Sequence, residues 1–575
     1  MENSLNTINY QSEIGNYPIK VVALGGLDEM GKNCYIIEVN DEVFIVEAGM
    51  KYPTANMPGV DMIIPDFDYL KNVAKKVKGI IITHGHDDQY GALPYLLNVV
   101  SAPIYATKTT VNIILNQYGK KFKKVETALF KIVQPSDTIT IGSFVFDLFQ
   151  TSHSVSESFG FALKTKFGNI VYTSDFMSDY SSLPGFQFDL TKVSRLADKE
   201  STFLLMTESE AADKTGIAAP NHKILDKIKD EFENQSGKIF VSVYSQNFYN
   251  IQEIFNLANK YRKKICFADL SQKNFFLKMA KSGSLNLYDG LIIDINDLRI
   301  TASSDVVILV TGSGEKLFNL CKDICYSNVS SLQVESTDTW INASPSVPGT
   351  EAIATDASDT IFRTDCHVLT LSRKEVNSMH AQQEDLKMMI SLFKPKYYLP
   401  VKGYYKLLLA NARLAIDLGI GLNHFNTFVF DNGMALAFDE NGKNIKKNIF
   451  IKNGDIMVDG NSVGDVKETA IEERTTMADG GIVLLGVTIS SAKRQILSNI
   501  DVQMRGFLYM SDSEPVVSQI AQLTIANLNT ALNNQNKLHL NDLQNKIADK
   551  VSKFILHETN KEPLVMLQIL DVDAE

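Results

Sequence analysis

A short apolar run followed directly by two histidines is the feature that most constrains the fold. Residues 79–82 read Gly-Ile-Ile-Ile, and Thr-His84-Gly-His86-Asp-Asp88-Gln89 follows without a break. A continuous apolar run of this kind is typical of a strand buried on both faces, as in a sheet covered by helices. Two histidines at i and i+2 with Asp88 at i+4 can converge on one metal ion at the end of such a strand. Imidazole and carboxylate ligands suit Zn²⁺ or Mn²⁺, so the segment predicts an α/β fold with a metal site.

The first part of the chain predicts an α/β sandwich. Residues 33–39 and 42–48 flank a polar Asn-Asp turn, which is typical of a β-hairpin. Residues 138–149 alternate apolar and polar side chains and predict one strand, and residues 169–173 predict another buried strand. Strands grouped together with amphipathic segments beside them favour sheets flanked by helices.

The rest of the 575 residues predicts further domains. Strand and helix patterns alternate in 216–372, which indicates an inserted α/β domain, and the first domain resumes in 373–450. A stretch rich in Gly, Asp and Asn follows and predicts a linker. The C-terminal part predicts strands at 481–489, 506–510 and 564–570 with helices at 516–531 and 541–557. The predicted parts are 1–215, 216–372, 373–450, 451–470 (the linker) and 471–575.

Composition excludes several classes of protein. No run approaches the eighteen or so consecutive apolar residues of a membrane span, and the N-terminus lacks the apolar region of a secretory signal. Five cysteines form no disulfide framework and favour a reducing cytoplasm. A net charge of −11 argues against unselective coating of nucleic acid, although a local basic groove stays compatible with it. Two lysine clusters, at 71–78 and 120–124, are interpreted as solvated faces or, alternatively, as the lining of an RNA channel.

The histidine segment resembles the His-x-His-x-Asp-His motif of the metallo-β-lactamase superfamily, and further motifs in the same order resemble ribonuclease J. The resemblance covers residues 18–450 and continues into the C-terminal part. It implies an αββα metallo-β-lactamase sandwich, an inserted β-CASP α/β domain, a small α+β C-terminal domain for association, and an RNA substrate. The motifs are Gly25-Gly-Leu-Asp-Glu-Met-Gly-Lys-Asn, Gly91-Ala-Leu-Pro-Tyr-Leu-Leu, His153-Ser-Val-Ser-Glu-Ser-Phe-Gly, Thr173-Ser-Asp175-Phe, Ser245-Gln-Asn247, Ser378-Met-His380-Ala-Gln-Gln-Glu, Lys394-Pro-Lys-Tyr-Tyr-Leu-Pro-Val and Arg474-Thr-Thr-Met-Ala-Asp-Gly-Gly.

The chain departs from this family at the second of its two metal positions. The resemblance implies a complete first site, made of His84, His86, His153 and Asp175. In the second site Asp88 and the bridging Asp175 match, but Gln89 and Lys402 stand where the family has histidines. We therefore expect at most one ion, Zn²⁺ or Mn²⁺. Two-metal phosphodiester hydrolysis uses both ions to stabilise developing charge, so one ion predicts weak activity.

Lys402 has a physical interpretation in this setting. Without a second ion, Asp88 and Asp175 would lie close together and repel each other, and one would tend to take up a proton. We expect the Lys402 ammonium to reach between them and to replace the missing ion as a structural charge.

The same resemblance implies where RNA would bind. We expect Asp88 and His380 to act in catalysis, and a phosphate to lie against a hydroxyl and an imidazole near residue 380. A second phosphate could lie at a strand end of the insertion. Such an arrangement favours single-stranded RNA with a 5′ monophosphate. The predicted contacts are Val376, Asn377, Ser378, Met379, His380, Ser245 and Asn247.

Two functions compete on this evidence. The first is a weak, metal-dependent 5′–3′ exoribonuclease, with possible endonuclease action, that serves RNA maturation and decay in the cytoplasm. The second is a catalytically inactive RNA-binding or regulatory subunit of an active ribonuclease J. A homodimer and a heteromer with the active enzyme are both compatible with the sequence, and a hydrolase of a small ester or lactam is less favoured.

Overall fold

The structure is a computed structural model that describes residues 17–573 with internal gaps. The chain forms two compact units. One contains the residues up to Tyr52 together with Ile63–Ile456, and the other contains Pro53–Met62 together with the residues from Met457 onward. The gaps in the description are residues 55, 181–182, 330–331, 348, 374, 377–378, 445–448, 461, 465–467, 508–512 and 535–538.

The first two hundred residues supply most strands of the larger unit. The strands are β1 (Ile19–Gly25), β2 (Cys34–Val39), β3 (Glu42–Val46), β4 (Met62–Pro65), β5 (Val77–Ile81), β6 (Ile104–Ala106), β7 (Phe130–Ile132), β8 (Thr138–Ile141), β9 (Phe144–Gln150), β10 (Phe159–Thr165), β11 (Gly168–Tyr172) and β12 (Thr202–Thr207). The helices are α1 (Asp68–Val73), α2 (Asp87–Tyr90), α3 (Leu93–Leu96), α4 (Lys108–Tyr118), α5 (Lys123–Glu126) and α6 (Leu190–Lys199).

An all-parallel sheet forms the insertion, as the alternating strand and helix pattern predicted. Its strands are β13 (Ile239–Tyr244), β14 (Lys264–Phe267), β15 (Ile292–Ile293), β16 (Val306–Gly312), β17 (Thr339–Asn342) and β18 (His367–Thr370). Their order in the sheet is β15-β14-β16-β13-β17-β18, and the core includes Trp340 stacked on Phe240. Its helices are α7 (Leu225–Asn234), α8 (Phe248–Lys260), α9 (Leu270–Ser282), α10 (Glu315–Cys325) and α11 (Glu351–Phe362).

The chain then returns to the first domain, which confirms the predicted αββα sandwich. The return supplies α12 (Gln383–Phe393), β19 (Tyr397–Pro400), α13 (Tyr405–Asp417), β20 (Met434–Phe438) and β21 (Ile449–Phe450). One sheet has the order β21-β20-β1-β2-β3-β5-β6-β7 and the other the order β19-β12-β11-β10-β9-β8.

Alternation along the strands explains how the second sheet packs on both faces. Successive side chains of a strand point to opposite faces. On β12, Leu204 and Met206 therefore pack into the apolar core between the two sheets, together with Phe44 of β3. Leu205 points the other way and packs against α12 and α13, where Leu386 is buried.

Residues 138–149 differ from the sequence prediction. They form two antiparallel strands, β8 and β9, rather than one continuous strand. The turn between Ile141 and Phe144 contains Gly142 at a φ of 58°, a left-handed conformation that glycine adopts readily. The prediction missed this because the alternation of side chains continues on both sides of a two-residue turn.

The smaller unit pairs one sheet with helices. Strand β24 (Ile482–Ser490) pairs with β25 (Gln495–Ile496) and β26 (Asp501–Arg505) in antiparallel fashion and with β27 (Leu564–Asp571) in parallel. Helices α15 (Ser513–Asn534) and α16 (Leu540–Thr559) contribute to the same apolar core. Residues 501–505 form a strand, whereas the prediction placed one at 506–510, of which 508–510 lie outside the described residues. The elements from residue 455 onward are β22 (Asp455–Asp459), β23 (Ser462–Val463), α14 (Glu468–Gly480), β24 (Ile482–Ser490), β25 (Gln495–Ile496), β26 (Asp501–Arg505), α15 (Ser513–Asn534), α16 (Leu540–Thr559) and β27 (Leu564–Asp571).

The stretch predicted as a linker, 451–470, carries the short strands β22 and β23. Within the larger unit, Asp455 forms ion pairs with the buried Lys32 and with Lys51. The Gly- and Asp-rich composition that suggested a linker therefore also accommodates a specific charged contact. The domain boundaries themselves stay predictions. Among the helices that the structure describes, none combines the length and apolar character needed to cross a membrane.

Candidate functional site

The predicted metal ligands lie at one edge of the sandwich because the strands that carry them run in the same direction. Strand β11 is parallel to β12, and β12 to β19, while β9 is parallel to β11 through the antiparallel β10. Side chains that follow the carboxyl ends of these strands therefore meet at one sheet edge. His153 follows β9, Asp175 follows β11 and Lys402 follows β19, whereas His84 and His86 follow β5 of the facing sheet.

Three imidazole nitrogens and one carboxylate oxygen converge at this edge. The Nδ1 atom of His86 lies 3.2 Å from Nε2 of His84 and 3.1 Å from Nε2 of His153. Oδ2 of Asp175 lies 3.4 Å from Nε2 of His84 and 3.6 Å from Nε2 of His153. A tetrahedral zinc site with bonds of about 2.05 Å has donor atoms about 3.3 Å apart. The spacing of the four atoms therefore fits a single tetrahedral ion, and all four lie within 4.8 Å of one another.

Neighbouring groups hold these imidazoles in the form that binds metal. His153 is 1% exposed, and its Nδ1–H donates to the carbonyl oxygen of Met379 at 2.8 Å, which leaves Nε2 with a free lone pair. Nδ1 of His84 lies 3.1 Å from the hydroxyl of Thr83, which in turn donates to the buried carboxyl of Glu47 at 2.5 Å. Burial lowers the pKa of His86 to about 3 and places that of His153 well below its usual value. Both side chains are thus neutral, as metal ligands must be.

Lys402 lies where the second family ion would be expected. Its ammonium contacts Oδ2 of Asp175 and lies 3.0 Å from Oδ2 of Asp88, and the lysine side chain is 3% exposed. Burial alone would lower the pKa of Lys402, but the carboxylates of Asp175 and Asp88 outweigh that effect and hold it well above its usual value. The same contact holds the pKa of Asp175 well below its usual value in spite of burial. The charged lysine and the two carboxylates form the pairing that the sequence suggested.

The backbone conformation of Lys402 is unusual for a residue other than glycine. Its φ is 56°, in the left-handed region that residues other than glycine rarely adopt. Such a conformation costs of order 1–3 kcal/mol and persists only where the surroundings fix it. The backbone N–H of Ser209 donates to the carbonyl oxygen of Lys402 at 3.0 Å, and the ammonium contacts two carboxylates, so both the backbone and the side chain of this residue are held in place.

Gln89 presents a donor, not a ligand, to the same position. Its Oε1 accepts a hydrogen bond from Nδ2 of Asn33 at 2.7 Å, so its NH₂ group faces the site and donates to Oδ2 of Asp175 at 3.1 Å. An amide nitrogen of this kind has no lone pair for a metal ion. Lys402 and Gln89 therefore both present N–H donors to Asp175 at the position where the second metal ion of the family would be expected.

Two carboxylates that the sequence analysis missed, Glu208 and Glu210, follow strand β12 and enclose His380. Nδ1–H of His380 donates to Oε2 of Glu208 at 2.7 Å, and Nε2 lies 3.3 Å from Oε2 of Glu210. Although burial opposes it, the carboxylates of Glu210 and Glu208 raise the pKa of His380 to about 9. His380 therefore carries a positive charge at neutral pH. The sequence contained a signal for these two carboxylates. An acidic Glu-Ser-Glu segment follows a buried apolar strand directly, as the segment with His84 does.

The residues that we predicted to contact RNA lie in different environments. Met379 is buried and orients His153 through its carbonyl, Val376 is half-buried, and Asn377 and Ser378 lie outside the described residues. The side chain of Asn247 caps helix α8, because its Oδ1 accepts the backbone N–H of Asn250 at 3.0 Å.

Gln246, which lies between Ser245 and Asn247, contacts the segment 84–89 that carries His84 and His86. Its Nε2 donates to Oδ2 of Asp87 at 2.7 Å, the same oxygen that accepts the hydroxyl hydrogen of Tyr52 at 2.7 Å. The backbone N–H of Ser245 donates to Gly312 within the insertion at 2.9 Å. This segment thus connects the insertion to the residue between His86 and Asp88, and its contact with RNA stays a prediction.

Comparisons with known proteins agree with this architecture. Residues 27–186 match the model of the metallo-β-lactamase superfamily, residues 236–361 that of the ribonuclease J β-CASP domain, and residues 469–572 that of the ribonuclease J C-terminal domain. The metallo-β-lactamase fold is a metal-binding fold, and the convergent histidine and aspartate atoms are its candidate ligands here.

Relatives align over nearly the whole chain. A protein named Ribonuclease J 2 from Staphylococcus epidermidis is 29% identical over 97% of this chain and 99% of its own length. A protein of the same name from Staphylococcus aureus is also 29% identical, with the same coverage of both chains. A solved structure of a protein of unknown function from Enterococcus faecalis aligns with 73% of this chain and 100% of its own at 15% identity, with a TM-score of 0.49. Because the three domain models match in order and the relatives align from end to end, the chain belongs to the ribonuclease J family.

Proposed function

We propose that the chain acts on RNA in maturation and decay, as a weak metal-dependent 5′–3′ exoribonuclease with possible endonuclease action. The observation that carries this proposal is the tetrahedral spacing of His84, His86, His153 and Asp175, which keeps one metal position intact. An ion held there, Zn²⁺ or Mn²⁺, would supply Lewis acidity toward water and a phosphate oxygen. The family membership and the names of the relatives support RNA as the substrate class.

The chain's own residues account for the expected weakness. Lys402 supplies one positive charge at a position where a divalent ion would supply two, and its ammonium is committed to Asp88 and Asp175. Gln89 donates to Asp175 and adds no ligand. Less charge is therefore available to stabilise the phosphorane-like transition state, and each lost contact of this type typically lowers the rate by orders of magnitude.

His380 is the residue best placed to act on the substrate directly. Its Nδ1–H is fixed by Glu208, which accepts two further hydrogen bonds from the backbone N–H groups of Phe176 and Ala381. The imidazolium can therefore present Nε2–H to a phosphate oxygen or a leaving group in a fixed orientation. Asp88, 3.0 Å from the ammonium of Lys402, remains our second candidate for a catalytic role.

The second candidate function is an inactive RNA-binding or regulatory subunit that pairs with an active ribonuclease J. The observation that favours it is the close packing of Lys402 and Gln89 against Asp175, which leaves the second metal position filled by the protein itself. In this function the chain binds 5′-monophosphorylated single-stranded RNA or tunes its partner without cleaving RNA. A homodimer is the corresponding assembly if the chain acts alone.

Metal analysis combined with a nuclease assay separates the two functions. The protein is purified without chelators, its metal content is measured by elemental analysis, and cleavage of a 5′-monophosphorylated RNA is followed. The variant His86→Ala removes one ligand, and we expect it to lose both bound metal and cleavage. His424→Ala, which changes an exposed histidine of the same unit, serves as the matched control and should behave like the wild type.

The outcomes are distinct. If His86→Ala retains all of the activity, the cleavage comes from a contaminant and the enzyme function is wrong. If the wild type holds one ion but cleaves nothing, the regulatory function is the better account.

A further inference from the structure

A cluster of positive charge lies in the part of the larger unit that follows strand β6. Residues 108–131 contain six lysines and one acidic residue, Glu126, in a chain whose net charge is −11. Four of these lysines fall between the end of helix α4 and the start of α5, in a segment that we call the lysine turn (residues 119–124). The turn is therefore strongly positive on a protein that is negative as a whole. Its four lysines, all exposed, are Lys120, Lys121, Lys123 and Lys124.

The charge of the lysine turn is left largely uncompensated. Lys123 pairs with Glu126 at 2.8 Å. The other three lysines of the turn form no ion pair with the residues that the structure describes. Exposed ammonium groups attract the phosphates of a nucleic acid, and their binding releases counterions that were condensed on it. The turn can therefore gain binding free energy from a polyanion without first breaking ion pairs within the protein.

The other lysine cluster of the chain, at residues 71–78, differs in this respect. Lys71 pairs with Asp68 at 2.5 Å, and Lys76 pairs with Asp41 at 2.6 Å. These lysines carry their own counter-charges, as in an ordinary solvated face. The ion pairs thus separate two clusters for which the sequence left the same two interpretations open.

Aromatic packing fixes the lysine turn beside the predicted metal ligands. The ring centroid of Phe122, inside the turn, lies 5.8 Å from that of Tyr95 and 5.6 Å from that of Tyr118. The hydroxyl of Tyr118 donates to the carbonyl oxygen of Gly91 at 3.1 Å. Tyr95 and Gly91 belong to the residues that directly follow segment 84–89. The turn therefore rests on the continuation of the segment that carries the two histidines.

Helix α4, which ends at the turn, contacts the histidine-bearing segment itself. Nε2 of Gln117 donates to Oδ1 of Asp87 at 3.3 Å. Gly85 lies so close to the helix that a Cβ atom added to it would be 2.5 Å from Cδ1 of Ile113. The helix thus places the lysine turn at a fixed position relative to the metal site.

We propose that the lysine turn binds the phosphate backbone of single-stranded RNA outside the metal position, as a second contact region for a strand that enters the metal site. This inference rests on the proposed function, because it takes RNA as the substrate of the neighbouring site. Lysine suits this role, since its ammonium contacts a phosphate as a point charge and reads no sequence. A chain with a net charge of −11 repels RNA in general, and the lysine turn reverses that repulsion locally.

The test compares two triple variants of the full-length chain. The first removes the three lysines of the turn that lack an ion pair. The matched control removes three lysines from the other cluster and so changes the net charge by the same amount. Binding to two oligouridylates, of about 5 and about 20 nucleotides, is measured by fluorescence anisotropy over a range of salt concentrations. Thermal melting checks that both variants are folded. The variants are Lys120→Gln/Lys121→Gln/Lys124→Gln and Lys71→Gln/Lys75→Gln/Lys76→Gln.

We expect the variant of the lysine turn to bind the longer RNA up to about 100-fold more weakly at about 0.1 M salt, because three phosphate contacts are lost. The slope of log affinity against log salt should fall by about 2, since each contact with a single strand contributes about 0.7. The loss should be smaller for the shorter RNA, which extends less far from the metal position. The control should bind the longer RNA like the wild type. If both triple variants lose the same affinity, net charge alone explains the effect and the inference is overturned.

Cleavage of the longer RNA, measured in parallel, separates this inference from the proposed function. If the chain binds RNA through the lysine turn and cleaves none, the inference stands and the exoribonuclease function fails. If the chain cleaves RNA and the variant of the turn binds it like the wild type, the proposed function stands and the inference fails. Vesicles that contain anionic lipid are a further probe. If the variant of the turn loses binding to vesicles but keeps its affinity for RNA, the turn contacts a membrane surface and the inference is wrong.

Discussion

Replacing Lys402 with methionine is the perturbation that most directly probes the altered metal position. Methionine keeps much of the length and apolar volume of the side chain but removes the ammonium. The variant leaves Asp88 and Asp175 facing each other without the cation that contacts both of them. We therefore expect the variant to be less stable than the wild type in the absence of added metal.

The expected loss follows from the burial of the group. The lysine side chain is 3% exposed and that of Asp175 is 1% exposed. Removing one partner of a buried ion pair typically costs about 3–5 kcal/mol. Protonation of one of the two carboxyls limits the loss, because the repulsion disappears when one of them is neutral. The loss should therefore be larger at pH 8 than at pH 5.

Divalent metal should restore part of the stability of this variant. With the ammonium gone, two carboxylates are available to a cation, and an ion that binds only the folded state at about 100 times its dissociation constant adds about 2.7 kcal/mol. The assay is urea unfolding with chelator and with Mn²⁺ or Zn²⁺, together with elemental analysis of each protein.

Lys20→Met is the matched control for the loss of a buried lysine. Lys20 is 7% exposed and pairs with Glu38 at 2.9 Å, away from the histidines. This variant should also lose stability, and metal should stabilise it only as much as it stabilises the wild type, through the first metal position. If Lys402→Met has the same free energy of unfolding and the same metal content as the wild type, the lysine does not replace an ion and our account of the site is refuted.

Two further predictions concern the metal stoichiometry and the pH dependence of stability. The double variant Gln89→His/Lys402→His should bind a second ion and cleave RNA faster, because histidine tolerates the left-handed backbone at residue 402 and restores both imidazoles. Elemental analysis that still finds no more than one ion per chain would contradict this. Burial raises the pKa of Glu253 to about 7 from 4.5, so the folded state holds a proton that the unfolded state has lost between these values, and stability falls as pH rises through this range. The loss from this group amounts to up to about 3 kcal/mol, and urea unfolding at pH 5 and pH 8 should show it in the wild type but not in Glu253→Gln.

Local sequence patterns were sufficient for one part of the site. His84 and His86 follow a buried strand two residues apart, and their convergence follows from spacing alone. Asp88, which the same spacing placed on that ion, contacts the ammonium of Lys402 instead. His153 and Asp175 lie far from them along the chain, and only the order of family motifs linked them to the same ion. The parallel course of β9, β11 and β12 is the physical reason that they meet, and no periodicity in a single segment contains that information.

The sequence was less informative where a side chain has two possible partners. The side chain of Asn247 caps helix α8, a role that suits asparagine as well as the phosphate contact that we expected, and that contact stays a prediction. Glu210 was not singled out, because its contact with His380 depends on a tertiary approach of residues that are 170 positions apart in the sequence. Lys402 was an exception. A positively charged lysine at the position of a metal ligand in the family is expected to pair with the carboxylates that the metal would have contacted, and it does so here.

Charge balance offers an independent argument for how many ions the site holds. Counted as fully ionised, the carboxyl groups that contact Lys402 or His380 carry four negative charges, and these two residues carry two positive charges. A buried cluster with two uncompensated negative charges is costly in a medium of low dielectric constant. One divalent ion would make this cluster neutral, whereas two ions would leave it with two positive charges. The same balance explains why a second ion requires the loss of Lys402. The four carboxylates are those of Asp88, Asp175, Glu208 and Glu210.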